Sequence, residues 1–313
     1  MTDNVAQAYL DLYESMIDVL ITEELHPEIK AKLNQENTYP ATRFNELTKT
    51  VRKIIKSGGD TGLTDDKPKK GSSRAVMFVK EPARVKIDGV DAELPHVLKM
   101  SFHGALDKYR EGDSYSPLLG DLQNLHESDH AHHGMLVKQH DGTFKTNPNG
   151  FLPPIIDHHA DGHWMSVGRV SPLKAAEFKQ LTKTEDFPKG ITPTEFRASI
   201  IHHTQQAHGK PVRMSDLGGV SQERAELLIN HPLIQKALNF TVESDTNPYD
   251  FGNRNLGIWQ HPVTGERHIV AADAGFSNDV MRAYVAARKK KYGWPDSQRV
   301  IDYLYGMLNS DYS

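Results

Sequence analysis

TNPYDFGNRNLGIWQHPVTGERHIVAADAGFS, residues 246–277, is the stretch on which the fold turns. It reads as a loop, a short strand, a turn, a second strand and then Asp-Ala-Gly-Phe. Asp250 and Asn255 stand just before the first strand, and Asp273 ends the second. Two carboxylates and one amide carbonyl are thereby brought to one end of a hairpin. Magnesium takes oxygen ligands and commonly shares them with phosphates. Asn255 and Asp273 can supply those oxygens, which leaves Asp250 to orient or deprotonate an attacking hydroxyl.

Working outward, the region before this hairpin is helical from about 171. Thr192-Pro193-Thr194-Glu195 is a strong helix start, with Thr as N-cap, Pro at the first position and Glu closing a capping box. Ser221–Phe240 reads as helix interrupted at Pro232, and two closing helices are expected at 277–291 and about 296–308. Upstream the texture is different. RAVMFVKEP (74–82), ARVKI (83–87) and HVLKM (96–100) read as strands, with Asp88-Gly89 as a turn. A helical region follows at about 104–127. FLPPIID (151–157) and HWMSVGRV (163–170) form an expected hairpin around HHADG. Residues 41–56 carry Phe44, Leu47, Val51, Ile54 and Ile55 at helical spacing, and 4–22 read as an amphipathic helix. Between them and the strands lies SGGDTGLTDDKPKK, expected to be a mobile linker. The division is therefore a helical segment 1–56, a linker 57–70, a mostly β part 71–170 and a mostly α part 171–313, an α+β class.

Composition narrows the function. No cysteine is present, which removes disulfides, thiolate metal sites and cysteine nucleophiles. A formal net charge of -4 implies no general affinity for nucleic acid. No apolar run reaches a membrane span, and the acidic, amphipathic start MTDNVAQAYLDLYESM does not resemble a signal peptide. The expectation is a cytoplasmic protein without a membrane partner.

Together these motifs resemble the protein-kinase-like superfamily. Asp250-Phe-Gly-Asn-Arg-Asn255 matches its D-x-x-x-x-N catalytic loop, and Asp273-Ala274-Gly275 its metal-binding D-F-G, with Phe276 one place late. Gly71-Ser72-Ser73-Arg74-Ala75-Val76 is similar to the second half of the glycine-rich loop, and Lys99 to the strand lysine that contacts the α and β phosphates. Among subgroups the chain looks most like the compact, phage-encoded serine/threonine kinases, in which case its compartment would be the host cytoplasm. The resemblance covers about 71–280. It implies a bilobal fold with a β-rich N-lobe, a helical C-lobe and an extra helical N-terminal segment. ATP would bind between the strands of 71–170 and the helices after 171, with Gly71, Ser72 and Ser73 at its phosphates and Val167 and Gly168 in the hinge at adenine. A helix glutamate would orient Lys99; Glu127 is preferred, with Glu111 the alternative. Asn255 and Asp273 would hold magnesium, and Asp250 would act on a protein or small-molecule hydroxyl.

The chain also departs from the family pattern. Pro248-Tyr249 stand where His-Arg precede the catalytic Asp, Gly252 stands where many protein kinases have Lys, and the short stretch after Asp273 leaves no expected room for an activation segment. A pseudokinase and a small-molecule kinase are the alternatives within the family. Outside it stands a histidine-metal phosphoesterase. ESDHAHHG (127–134) and DHHADGH (157–163) offer ligands for zinc, and Asp157-His158-His159 resembles a phosphoesterase D-H-H signature. No preceding Asp-x-Asp completes that signature, so exposed turn histidines are expected. Arg288–Lys291 suits the end of a helix. The 4–22 helix is expected to pack, with a homodimer contact or a cap on the fold as alternatives.

Overall fold

The computed structural model describes residues 25–34, 40–64, 68–70, 74–101, 119–252 and 255–275. The helices expected at 4–22, 277–291 and 296–308 lie outside these residues, as do Gly71, Ser72, Ser73, Glu111 and Phe276. The chain is a mixed α+β protein. Its described residues fall into two compact units. The first draws on the chain up to Ser128, on Lys138–Lys145 and on Ile155–Gly168; the second draws on Asp129–Val137, Thr146–Pro154 and the chain from Arg169 on. The division is therefore not a single cut near 170, because two segments after Ser128 return to the first unit.

The first unit opens with helices α1 (Pro27–Leu33) and α2 (Pro40–Lys56). Phe44, Leu47, Val51 and Ile54 of α2 are buried at helical spacing against Ala75, Met77, Leu98 and Met100 in one core; Ile55, off that stripe, is exposed. The central sheet has the order β1 (Lys69–Lys70), β2 (Arg74–Phe78), β5 (His96–Ser101), β9 (Trp164–Gly168), β8 (Ile155–His158), with every pairing antiparallel. A smaller sheet in this unit is formed by β4 (Val90–Leu94), β3 (Ala83–Ile87) and β7 (Phe144–Thr146), whereas β6 (Leu136–Lys138) belongs mostly to the second unit's segments. The β3–β4 turn is Asp88-Gly89, both at positive φ, the geometry of a tight hairpin. Helix α3 (Leu119–Asp129) completes the unit.

Three expectations need correcting here. The expected linker is not free chain throughout: Thr61 and Leu63 are buried, Leu63 bridges Val79, and Lys69 and Lys70 pair with Val76 and Ala75. One leucine among polar residues is enough to tether it, because burying such a side chain is worth about 2 kcal/mol. The strand at 90–94 was not expected, and the strand before the HHADG turn starts only at Ile155. Pro153 and Pro154 lack the N–H that a ladder needs.

The second unit is built on helices α4 (Ala175–Leu181), α5 (Pro193–Ala207), α6 (Gln222–Leu227) and α7 (Pro232–Glu243). The capping box at Thr192 and Glu195 is formed, and Pro232 begins α7 after a 3₁₀ turn. Strands β10 (Ser171–Pro172), β11 (Leu256–Gln260) and β12 (Arg267–Ala271) make an antiparallel sheet. Phe151, Phe178, Phe196, Phe240 and Phe251 form its aromatic core. No helix among the described residues is long and apolar enough to cross a membrane.

Candidate active site

In the first unit, Lys99 sits in the middle of β5, whose six residues are all buried, between β2 and β9. Lys99 Nζ donates to Glu127 Oε2 at 3.0 Å. The other carboxylate oxygen accepts from Arg74 Nη2 at 2.6 Å, and Arg74 Nη1 donates to Asn124 Oδ1 at 3.1 Å. Asn124 in turn donates to the carbonyl of Gly162 at 2.8 Å. One turn earlier, Asp121 pairs with Arg43 of α2 at 2.8 Å, with both side chains at most 2% exposed. Asp121, Asn124 and Glu127 are spaced by three, so α3 buries a polar stripe rather than a purely apolar one. Asp121 is met from α2, Asn124 from β2 and the Gly162 carbonyl, and Glu127 from β2 and β5, since buried charge requires partners.

Arg74 and Lys99 share the Glu127 carboxylate. Burial pushes the Glu127 carboxyl up, but Arg74 and Lys99 outweigh it and hold it down at about 2. Burial, and next the Arg74 charge, lower the Lys99 ammonium to about 8 despite Glu127.

Val167 and Gly168 lie at the end of β9. Val167 pairs with Val97 on one side and Ile155 on the other, so it lies inside the sheet, and Gly168 pairs with His96.

In the second unit, Asn247-Pro248 starts a 3₁₀ turn that ends at Asp250. The Asn247 side chain accepts from Tyr249 N at 3.0 Å, and Pro248 supplies a preset φ. The Tyr249 hydroxyl donates to Asp216 at 2.9 Å and accepts from Gln205 at 2.6 Å, which fixes the turn to α5. Phe251 is buried beside it, 5.6 Å from Phe151. Asn255 then closes the loop: its Nδ2 donates to the Asp250 carbonyl at 2.8 Å, and its own carbonyl accepts from Ala272 N at 2.7 Å and Asp273 N at 3.4 Å. The two ends of the hairpin are held together through Asn255. The Asp250 carboxylate lies against Gly275, where an added Cβ would fall 1.5 Å from Oδ2. Glycine is needed there because the carboxylate occupies the space of a side chain. Burial raises the Asp250 carboxyl above its ordinary value, with Arg197 opposing. The Asn255 amide oxygen and the Asp273 carboxylate are the groups that could hold a divalent ion, with Asp250 beside them.

The sequence singled out Lys99, Glu127, Asp250, Asn255 and Asp273 as site candidates; the ion pairs of Arg74 and Arg43 and the polar stripe of Asp121 and Asn124 were not foreseen. Asp-x-x-Asn-x-x-Glu on one helix face was the available signal. The histidine clusters also need correction: His133 and His163 are buried rather than exposed in turns, with the His133 ring against Phe240 and the His163 ring stacked on His159. Compared with models of known protein families the chain matches none, and a search of curated proteins gives no significant match.

Proposed function

We propose that the chain is an ATP- and magnesium-dependent phosphotransferase of protein-kinase-like type, acting on a hydroxyl of a protein. The observation that carries this reading is the buried Lys99–Glu127 pair at 3.0 Å, joining a central strand to a helix. Kinases require such a strand-lysine to helix-glutamate pair. In this reading Lys99, held by Glu127, contacts the ATP phosphates. Asn255 and Asp273 hold magnesium. Asp250, made more basic by burial, accepts the proton of the attacking hydroxyl. The acceptor oxygen bonds to the γ phosphorus as the bond to the β-phosphate oxygen breaks, and ADP leaves. Catalysis comes from positioning and charge neutralisation.

The test is incubation with magnesium and ATP labelled separately on the γ and α phosphates, beside Asp250→Ala and Asp273→Ala. Label from γ on protein or an added acceptor, reduced at least ~100-fold in both variants, is expected. Full activity in Asp273→Ala would reject the assignment, and label from α would make the enzyme a nucleotidyl transferase. Mixed protein substrates compared with small alcohols separate a protein kinase from a small-molecule kinase. Pro248-Tyr249 in place of His-Arg favours a second reading, a pseudokinase, which binds ATP with magnesium but transfers no label.

A further inference from the structure

A second cluster of ligating groups lies wholly within the second unit, apart from Asp250, Asn255 and Asp273. His132 and His133 close a 3₁₀ turn (Ala131–His133), and Glu243 is the last residue of α7. His132 Nε2 stands 2.6 Å from one Glu243 oxygen, and His133 Nε2 stands 3.1 Å from the other. One ligand atom from each residue can be chosen so that all lie within 4.8 Å of one another. Ligand atoms around tetrahedral zinc are about 3.3 Å apart, given bonds of 2.0–2.2 Å. Small side-chain rotations therefore suffice to seat the ion.

The frame is rigid on both sides. The His133 carbonyl accepts from Phe151 N at 2.8 Å and Leu152 N at 2.9 Å, and the His132 carbonyl accepts from Asn147 Nδ2 at 3.0 Å. Phe240, fully buried on α7, meets the His133 ring edge-on at 5.4 Å. Preorganisation of this kind distinguishes a ligand set from a chance surface pair.

Electrostatics points the same way. Glu243 sits at the negative end of the α7 dipole, and that last turn holds no basic residue. The His132 and His133 rings, 4.4 Å apart, each face one oxygen of that carboxylate. A divalent ion meets the needs of all three groups: two neutral nitrogens donate to it and the carboxylate gains a cation.

We propose that His132, His133 and Glu243 form a mononuclear zinc site with water in the fourth position, fastening the 131–133 turn to the end of α7. Two imidazoles and one carboxylate suit zinc over magnesium or calcium. The site does not depend on the phosphotransferase reading. The group His159, Asp161 and His163 is the natural control; there His159 Nδ1 already accepts from Asp161 N at 3.1 Å.

The test is calorimetric titration of the chelator-treated full chain with zinc in excess magnesium. Wild type is compared with His133→Ala, Glu243→Gln and the double variant His159→Ala/His163→Ala. Cobalt(II) absorption reports geometry. One zinc per chain is expected, with the intense visible bands of tetrahedral cobalt. Loss of a ligand should weaken binding roughly 100-fold or more, since even outer partners cost 10–100-fold; the double variant should bind as wild type. Thermal unfolding of metal-free Glu243→Gln should match metal-free wild type, which separates lost ligation from lost fold. Undiminished zinc affinity in Glu243→Gln, loss confined to the double variant, octahedral cobalt, or no zinc binding by wild type would each overturn the proposal.

Discussion

The two units hold their clustered charged and polar groups in opposite ways. In the first, Lys99, Arg74 and Glu127 sit on regular strands and a helix, almost fully buried, and are fixed by one another. In the second, Asp250, Asn255 and Asp273 sit on turns and are fixed by backbone hydrogen bonds and an aromatic floor. The difference teaches where each is vulnerable. A buried ionic cluster fails when its charge balance is changed, whereas a turn fails when its packing or spacing is changed.

Glu127→Gln should have the largest effect on stability. It leaves Lys99 and Arg74 buried without their carboxylate, at a cost of about 3–5 kcal/mol in urea unfolding. An effect below about 1 kcal/mol would mean that the cluster opens to water. The corresponding change in the second unit is Phe251→Ala, which removes a ring that is 1% exposed. It should cost about 3–4 kcal/mol and lower transfer as Asp250 loses its floor.

Gly275→Ala should separate geometry from stability. A Cβ there displaces the Asp250 carboxylate, and a shift of about 1 Å can cost ~100-fold in rate. Transfer should fall on that scale, with unfolding changed by about 1 kcal/mol or less. If both change equally, Gly275 is only a packing residue. Lys99→Met should likewise be cheap in stability, within about 1 kcal/mol, because it leaves the Arg74–Glu127 pair in place. It should still abolish transfer. A large stability loss would show that Lys99 serves mainly to hold the fold.

A further contrast is in pH. The Lys99 ammonium titrates at about 8 in the fold against an ordinary 10.5. Between these values the unfolded chain holds a proton that the folded chain has released, so this group's contribution to stability rises with pH. Glu127 works from the other side: held at about 2 against an ordinary 4.5, it stabilises above 4.5, and that stability is lost as pH falls toward 2. Urea unfolding across pH should show both slopes in wild type; Lys99→Met should lack the alkaline one and Glu127→Gln the acid one.

Much of this was legible in the sequence because it is local. The capping box at Thr192, the apolar spacing of α2 and the 256–271 hairpin depend on residues close together in the chain. The strand that carries Lys99 was legible from apolar Val97, Leu98 and Met100, but the burial of Lys99 was not, since the flanking residues do not say which face it takes. The strand 90–94 was not: VDAEL lies at a sheet edge, with four of its five residues outside the core, so it lacks the alternation that marks a strand. The Arg43–Asp121 and Arg74–Glu127 pairs were hidden because their partners are far apart in sequence, and charge alone reads as surface. The contact between Asp250 and Gly275 is likewise a product of folding that spacing does not encode.

The most direct test of the central claim is ATP affinity, with and without magnesium, in wild type, Lys99→Met and Asp273→Ala. Lys99→Met should weaken ATP binding under both conditions. Asp273→Ala should remove the gain from magnesium and leave metal-free binding unchanged. If all three proteins bind ATP equally, or none binds it, these residues do not serve a nucleotide and the phosphotransferase reading fails.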